Sequence, residues 1–244
     1  MQSVLKNKNV VITGASGGIG KEICKKLASH GANLILLGGR NADKLQELEK
    51  ELERYDIKTF FLLGDITDLN FIQSAKEKIL KHFETIDVLI NNAGLAHHSR
   101  LCDVEEKLFD DIIKTNVKAP YFITKTFLPY LKQSGFATII NICSIVGHLG
   151  YENQSVYTLS KHALLGFSKS LAKEVYKHGV RVHVISPGGV ETDMIKLTRP
   201  DLVGSKMIAP TDVSEVVSFL LLNRENAVID EIIMHRDGKE PFLV

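Results

Sequence analysis

The chain has 244 residues, a length that suits one large domain or at most two small ones. Hydrophobic residues make up 44% and charged residues 24% of it, and 30 Lys and Arg against 29 Asp and Glu leave a formal net charge of +1. Such a balance creates no field that would attract nucleic acid or a membrane surface, so we expect neither as a partner. No apolar run approaches the ~18 residues of a bilayer-spanning helix. The N-terminal residues lack the pattern of a secretion signal, which leads us to expect a cytoplasmic protein.

The three cysteines, Cys24, Cys102 and Cys143, lie far apart in the chain. They form no CxxC pair, and no histidine stands at metal-ligand spacing from them. We therefore expect neither a disulfide framework nor a metal site. Each cysteine is interpreted as a small buried apolar residue in a reducing cytosol.

Short apolar runs alternate with helical patterns along the whole chain. The predicted strands are residues 9–13, 33–37, 59–63, 86–90, 137–142, 180–185 and 228–234. The predicted helices are residues 18–30 (ended by Gly31), 41–54, 68–82, 104–131 (with an interruption near Pro120 left open), 155–178 and 212–222. Strands that are apolar on both sides, each followed by a helix, predict a parallel sheet with helices on both faces. The fold class is therefore α/β, a doubly wound Rossmann-type sheet of about seven strands.

The chain has no repeat, low-complexity tract or change of composition that would mark a domain boundary. We therefore expect residues 1–244 to form one domain. Residues 194–210 combine Pro, Gly and polar residues with weak periodicity, which predicts a mobile excursion from that domain.

A glycine-rich turn, TGASGGIG at residues 13–20, lies between the first strand and the first helix. Glycines let the backbone approach a pyrophosphate closely, and the free N–H groups of a helix N-terminus bind the anion. Glycines in such a turn can also serve steric needs alone. The strand before it and the helix after it favour a dinucleotide site.

The end of the second strand is the segment expected to contact the adenosine ribose. It holds Gly38, Gly39 and Arg40, and no acid follows until Asp43. A carboxylate there would repel a 2′-phosphate, whereas a guanidinium binds it through charge-assisted bidentate bonds. We therefore predict NADP(H) as the preferred cofactor, with NAD(H) as the alternative. In the other interpretation Arg40 is a solvated residue that opens a helix.

Tyr157 and Lys161 are four positions apart on the long predicted helix 155–178. This spacing places both side chains on one face of the helix. A free phenol ionises only near pH ~10, but a neighbouring cation favours the phenolate. The pair therefore suits a general acid and base that acts on a carbonyl or alcohol oxygen.

Ser144 ends the fifth predicted strand, thirteen residues before Tyr157. The carboxyl ends of strands face the ligand crevice in this architecture, so its hydroxyl can hydrogen-bond a substrate oxygen as charge develops there. An isolated pair such as Tyr157 and Lys161 is usually a surface feature. Ser144 and the glycine-rich turn together favour the catalytic interpretation.

The glycine spacing, with Ser144, Tyr157 and Lys161, resembles the short-chain dehydrogenase/reductase family over about residues 8–235. The resemblance implies an NADP(H)-preferring oxidoreductase of the 3-oxoacyl reductase-like kind, which reduces a carbonyl by hydride transfer. It implies that Tyr157 exchanges the proton, Ser144 orients the carbonyl and Lys161 also binds the nicotinamide ribose. Asn116 matches a fourth catalytic member that would hold a water. The cofactor half would be about residues 1–150 and the catalytic and substrate half about 151–244.

The same resemblance implies further cofactor contacts. Asp65 and Ile66 match the family's adenine contact. In the alternative interpretation Asp65 is the N-cap of the next helix, a role that Thr67 or Asp68 could equally fill. NNAG at residues 91–94 would line the cofactor, and SPGGVET at 186–192 would hold the carboxamide, with Ser186 where many members have Asn. The predicted cofactor residues are Thr13, Gly14, Ser16, Gly18, Ile19, Gly20, Arg40, Asp65, Ile66, Asn91, Ala93, Gly94, Tyr157, Lys161, Pro187, Gly188, Val190 and Thr192.

Substrate contacts are predicted at Ser144, Tyr151 and Tyr157. Specificity is expected in residues 95–100, 145–153 and 194–210, whose side chains indicate a mixed apolar and polar pocket. His97 and His98 are interpreted as solvent-facing loop residues because Tyr157 already fills the acid and base role. The resemblance allows a 3-oxoacyl thioester, a small ketone or aldehyde, a sugar or a steroid.

Several alternatives remain open. An NAD(H)-dependent alcohol or sugar dehydrogenase would belong to the same family. A sugar-nucleotide epimerase or dehydratase would need a larger C-terminal substrate domain than residues 188–244 provide. A non-catalytic NADP(H)-binding redox sensor would tend to lack Tyr157 or Lys161. The expected partners are a small carbonyl or alcohol substrate and further copies of the chain, in a homodimer or homotetramer built on helices 104–131 and 155–178.

Overall fold

The computed structural model describes residues 3–39, 41–202 and 206–239, with only the backbone of Pro200. Its strands are β1 Asn9–Thr13, β2 Asn33–Leu37, β3 Thr59–Leu62, β4 Val88–Asn91, β5 Thr138–Ile142, β6 Arg181–Pro187 and β7 Glu231–Met234. Its α-helices are α1 Gly18–Ser29, α2 Ala42–Leu52, α3 Leu69–His82, α4 Glu106–Ile113, α5 Ala119–Leu131, α6 Ser155–Val175, α7 Asp193–Thr198 and α8 Pro210–Leu222.

The strands described form one parallel sheet in the order β3-β2-β1-β4-β5-β6-β7. The order reverses between β1 and β4, which are neighbours although two strands separate them in the chain. At such a switch point the loops after the two strands diverge and open a crevice at their carboxyl ends. The doubly wound Rossmann-type sheet predicted from the sequence is therefore confirmed.

The sheet is buried on both faces because its strands are apolar on both sides. One face packs against α1, α2 and α8, with Leu27 and Val213 among the fully buried side chains. The other face packs against α3, α5 and α6, with Ile79 and Phe127 in the core. These two layers hold the strand ends, and therefore the crevice, in place.

The predicted helix 104–131 consists of α4 and α5 joined by a π-helical turn, Lys114–Lys118. The N–H of Ala119 donates to the carbonyl of Lys114, five residues back. Pro120 has no N–H to continue the ordinary ladder, so the widened turn directly precedes it. The interruption that the sequence left open therefore takes the form of a π turn.

Two other segments differ from the prediction. Residues 194–210, predicted from their weak periodicity as a mobile excursion, contain most of α7 and a short 3₁₀ turn at Pro200–Leu202. The last strand begins at Glu231 and not at residue 228, because Val228 and Ile229 are exposed beyond the end of its pairing with β6. Within the described parts of the chain, no helix combines the length and apolarity needed to cross a bilayer.

The prediction that each cysteine is buried is confirmed for Cys24 and Cys143 and is wrong for Cys102, which is exposed.

Candidate active site

Two adjoining cavities lie at the carboxyl ends of the strands. The first has a volume of about 330 Å³ and the second about 410 Å³. They share the border residues Ile19, Asn92, Gly94, Thr192 and Met194. The crevice is therefore divided into two connected compartments.

The glycine-rich turn lines the second cavity and leaves no space for a Cβ at Gly14 or Gly20. Gly14 has a φ of +67°, and a Cβ on it would lie 2.8 Å from the Cα of Ala93. A Cβ on Gly20 would lie 2.1 Å from the carbonyl oxygen of Gly14. Ser16 and Gly18 also line this cavity. The bare backbone at the start of α1 therefore fits a phosphate-binding cradle, as a dinucleotide requires.

Hydrogen bonds to Thr13 hold residues 91–94 against the glycine-rich turn. The Thr13 hydroxyl accepts hydrogen bonds from the N–H groups of Asn92 and Ala93, both at 3.1 Å. The Asn92 amide donates to the carbonyls of Thr13 and Gly14 at 3.1 and 3.0 Å. Thr13, predicted as a cofactor contact, is buried and holds this turn, whereas Ala93 and Gly94 border the second cavity.

Asn91 occupies a different place from the one that the sequence indicates. Its amide is buried in the sheet and donates to Asn141 at 2.8 Å and to Thr124 at 3.1 Å. Asn92, which follows it, borders both cavities. Successive side chains of a strand point to opposite faces, and the prediction took the first Asn of the pair as the contact.

Asp65 and Ile66 line the second cavity as predicted. The N-cap of α3 is Asp68, which accepts from the N–H of Asn70 at 2.9 Å. The alternative assignment of Asp65 as that cap therefore does not hold. Its carboxylate instead accepts from the N–H and the hydroxyl of Thr67 at 2.9 Å each.

The segment after β2 can be described only up to Gly39, since Arg40 lies outside the described residues. Gly38 and Gly39 have φ values of +83° and +132°, a region that L side chains rarely adopt. A Cβ on Gly38 would lie 2.2 Å from Cγ2 of Ile66. This turn therefore requires glycine.

An ion pair joins two borders of the second cavity. The ammonium of Lys44 lies 3.0 Å from the carboxylate of Asp193, at the start of α7. The hydrogen bond and charge of Lys44 lower the pKa of Asp193 below its usual value. The sequence analysis missed this pair because the two residues are far apart in the chain.

Tyr157 and Lys161 lie on one face of α6, as their spacing predicts, and both line the first cavity. The Lys161 ammonium is 5.8 Å from the centroid of the Tyr157 ring and donates to the carbonyl of Ile142 at 3.0 Å. Lys161 is only 4% exposed. A buried positive charge therefore lies beside the phenol.

Ser144 lines the same cavity from the end of β5. Its hydroxyl donates to the carbonyl of Pro187 at 3.3 Å and accepts from the N–H of Val146 at 3.4 Å. Both bonds are long, so the hydroxyl can exchange them for a better partner. Tyr151 lines the rim of the cavity, as predicted. Pro187, Gly188, Val190 and Thr192 line its far wall.

Asn116 lies in the π-helical turn and is 1% exposed. Its amide oxygen accepts from the N–H of Leu95, and its nitrogen donates to the Leu95 carbonyl, both at 2.8 Å. The nitrogen also donates to the Ser160 hydroxyl at 3.0 Å, and this hydroxyl donates to the carbonyl of Tyr157 at 2.7 Å. The amide therefore ties the loop after β4 to α6, and the water that the family resemblance implies for Asn116 stays a prediction.

A second polar group behind Ser144 was not predicted. The carboxylate of Glu231 is 2.6 Å from Nε2 of His148 and accepts from the Ser186 hydroxyl at 2.7 Å. This group connects β7, the end of β6 and the turn that follows Ser144. Ser186 stands where many members of the resembled family have Asn. The structure explains this serine locally, because its hydroxyl donates to Glu231 on the neighbouring strand.

The first cavity combines an apolar wall with several cations. Its apolar side includes Leu149, Ile195 and Leu202. The basic side chains that line it, besides Lys161, are His97, His98, Arg199, His235, Arg236 and Lys239. No Asp or Glu is among the described residues that line it. The last three of these residues follow β7, outside the segments in which the sequence predicts specificity.

Comparison with known proteins identifies the architecture. A family model described as short chain dehydrogenase matches residues 8–202. The chain is 35% identical over 249 residues to an NADP-dependent 3-hydroxy acid dehydrogenase of Schizosaccharomyces pombe, covering 97% of this chain and 96% of that one. It is 31% identical over 242 residues to the 3-oxoacyl-(acyl-carrier-protein) reductase FabG of Chlamydia muridarum, covering 96% and 97%.

A solved structure has the same arrangement. The alcohol dehydrogenase of the archaeon Thermococcus sibiricus, complexed with 5-hydroxy-NADP, superposes with a TM-score of 0.88 at 28% identity. The match covers 97% of this chain and 99% of that one. On the family match, the relatives and the fold, the chain belongs to the short-chain dehydrogenase family and is an oxidoreductase.

Proposed function

We propose that the protein reduces a ketone or aldehyde to an alcohol with NADP(H), in a reversible reaction with Tyr157 as the proton donor. The observation that carries this proposal is the meeting of Ser144, Tyr157 and Lys161 around one cavity that opens onto the glycine cradle. A bound nicotinamide cofactor would supply the hydride, and the protein supplies position and charge.

The second cavity is the proposed cofactor site. Its glycine-rich turn would bind the diphosphate, and Asp65 with Ile66 would border the adenine. Preference for NADP(H) is supported by Arg40 in the sequence, by the relative named as NADP-dependent and by the solved structure complexed with 5-hydroxy-NADP. Lys44 also lines this cavity, where its ammonium is paired with the Asp193 carboxylate.

In the first cavity the Ser144 hydroxyl would leave the Pro187 carbonyl and donate to the substrate oxygen. As the carbonyl carbon gains a C–H bond, the electron pair of its double bond moves to that oxygen. Tyr157 then gives its phenolic proton to the oxygen, which completes the alcohol. The buried ammonium of Lys161 stabilises the negative charge left on the phenolate.

Asn116 would act as a positioning residue and not as a proton carrier. Its hydrogen bonds reach Leu95 on one side and Ser160 on the other. Ser160 lies in the helical turn between Tyr157 and Lys161. The amide therefore holds that turn against the loop that borders both cavities.

The test is NADPH oxidation over a panel of ketones and aldehydes, with wild type and Tyr157→Phe. We expect the variant to lose at least about 10²-fold in kcat, because it lacks the proton, while its affinity for NADPH in a fluorescence titration stays unchanged. Tyr176→Phe, exposed and remote from the cavity, is the matched control. A near wild-type kcat for Tyr157→Phe would refute the mechanism. NADPH binding without turnover of any compound by wild type would favour the redox sensor.

A further inference from the structure

We propose that the substrate is an oxo acid, whose carboxylate is bound by Arg236 and Lys239 while its ketone lies at Tyr157. The inference rests on the proposed function and adds the chemical class of the substrate. Its basis is the charge of the first cavity, in which the described lining residues include cations and no carboxylate.

Arg236 and Lys239 belong to one turn, residues 235–239, that follows β7. The N–H of Lys239 donates to the carbonyl of Arg236 at 3.2 Å, and Gly238 has a φ of +77°. The carboxylate of Asp237, in the same turn, forms an ion pair with Lys206. The turn therefore presents its basic side chains to the cavity and its one acid to another partner.

This turn is attached to the segment that contacts Ser144. The N–H of Gly188 donates to the carbonyl of Met234 at 2.8 Å. A Cβ on Gly189 would lie 3.6 Å from Cδ of Arg236, so the arginine stem runs along that glycine. Pro187, just before, accepts from the Ser144 hydroxyl. A carboxylate at Arg236 would therefore lie in the same compartment as the ketone at Ser144.

Further basic side chains line the same cavity. Arg199 forms two hydrogen bonds of 2.8 and 2.7 Å with the Asp201 carboxylate. His97 bonds to the Ser99 hydroxyl at 2.8 Å. His98 and His235 would add positive charge only where they are protonated.

The cofactor does not account for these cations. Its diphosphate cradle borders the second cavity, and neither Arg236 nor Lys239 is among the residues that line that cavity. Arg236 donates from Nη1 to the sulfur of Met207 at 3.2 Å, and a thioether is a weak acceptor. A guanidinium has five N–H donors in a fork that matches a carboxylate, so it can bind a carboxylate while it keeps other partners. Arginine and lysine facing one cavity thus favour an anionic substrate.

The experiment measures reduction of straight-chain five-carbon oxo acids with the ketone alpha, beta or gamma to the carboxylate, each beside its methyl ester. We expect wild type to prefer at least one acid over its ester by about tenfold or more in kcat/KM, since the ester lacks the charge. Arg236→Gln and Lys239→Gln should each lower this preference, mainly by raising KM for the acid. Arg236→Lys should retain part of it.

A control variant and a binding measurement separate loss of the anion site from misfolding and from loss of turnover. Lys196→Gln removes an exposed charge of α7 that lines neither cavity and should leave the preference unchanged. Cofactor-free protein is titrated calorimetrically with pentanoate, which has the carboxylate and no ketone. Binding should be seen with wild type and weaken in both glutamine variants. If Arg236→Gln does not fold, Lys239→Gln, which is exposed, provides the same comparison.

Equal kcat/KM for acids and esters, or pentanoate binding that survives both glutamine substitutions, would overturn the proposal. So would reduction of coenzyme A thioesters but not of free acids, since the cations would then serve a phosphate-bearing carrier. If no carbonyl compound is reduced but pentanoate binds in an Arg236-dependent manner, the proposed function fails and the anion site stands.

Discussion

The Lys161 ammonium next to the Tyr157 phenol is surrounded by protein and not by water. Two unit charges 4 Å apart interact by about 1 kcal/mol in water and by about 4 kcal/mol at an effective dielectric constant of 20. Burial of Lys161 therefore strengthens its effect on a phenolate oxygen. The hydrogen bond to the Ile142 carbonyl partly offsets the cost of removing the ammonium from water.

Cofactor choice is the first prediction at the residue scale. Arg40→Asp should shift preference towards NAD(H), because a carboxylate repels the 2′-phosphate and accepts hydrogen bonds from ribose hydroxyls. The measurement is kcat/KM for NADPH and NADH with one carbonyl substrate. Arg54→Asp, an exposed arginine beyond the end of α2, is the control for the change of charge. An unchanged ratio of the two kcat/KM values would contradict the role of Arg40.

His183 provides a second residue-scale prediction, about stability. Burial lowers the pKa of His183 below its usual 6.5, helped by the charges of Arg224 and Arg181, while the Ile229 carbonyl and Asp230 act in the opposite direction. Nδ1 bonds to the Ile229 carbonyl at 2.6 Å, and the buried Nε2 has no hydrogen-bond partner among the described residues. The folded protein therefore favours the neutral imidazole, whereas the unfolded chain binds a proton below pH 6.5.

Because the unfolded state binds more protons there, the free energy of unfolding should fall as the pH drops below 6.5, by up to ~1.4 kcal/mol per pH unit from this group. Above pH 6.5 the contribution of neutral His183 to the free energy of unfolding is fully present. His183→Asn should flatten the pH dependence measured by urea unfolding, whereas His162→Asn, exposed on α6, should not. An identical pH dependence in wild type and His183→Asn would refute this origin.

At the scale of elements, the glycine-rich turn can approach a diphosphate because its backbone is tightly packed and its glycines have no side chains. Gly20→Ala would place a Cβ against the Gly14 carbonyl and move the start of α1. We expect the Kd for NADPH to rise at least about tenfold and stability to fall by about 1–3 kcal/mol from overpacking. Isothermal titration and thermal unfolding would measure both. Gly135→Ala, where an added Cβ meets nothing within 4 Å, should change neither, and equal behaviour of the two variants would contradict the argument.

The element that carries Asn116 shows how local and tertiary effects combine. Pro120 favours an interruption of the helix near its position, and the sequence allowed for one. The π turn that results brings the Asn116 amide to Leu95 and Ser160. The partners of that amide are about 20 and about 40 residues away, so helical periodicity could not predict them.

At the scale of the whole molecule, we propose that the chain folds as one domain, a proposal supported by the unbroken sheet from β3 to β7. We also propose a homodimer or homotetramer that covers apolar side chains of α5 and α6. Tyr121 and Leu159 are each 49% exposed on these helices. Single exposed apolar residues are common, but aromatic and aliphatic side chains on long helices are typical of interfaces.

The corresponding prediction is that wild type sediments as a dimer or tetramer and that Tyr121→Glu lowers the mass observed by sedimentation equilibrium. A carboxylate buried without a partner at an apolar interface destabilises the association. Leu63→Glu changes an exposed apolar residue after β3 and should leave the mass unchanged. A wild-type monomer at micromolar concentration would contradict the proposal.

The sequence by itself determined the order of strands and helices, the glycine cradle and the pairing of Tyr157 with Lys161. Each of these depends on residues that are neighbours in the chain or one helical turn apart, and local periodicity and spacing describe such relations. The tertiary structure decided that Asn91 is buried while Asn92 faces the crevice, that Ser186 bonds to Glu231, and that the turn after β7 brings Arg236 to the first cavity. These contacts join segments distant in the chain, and only the packing of the sheet and its helices brings them together.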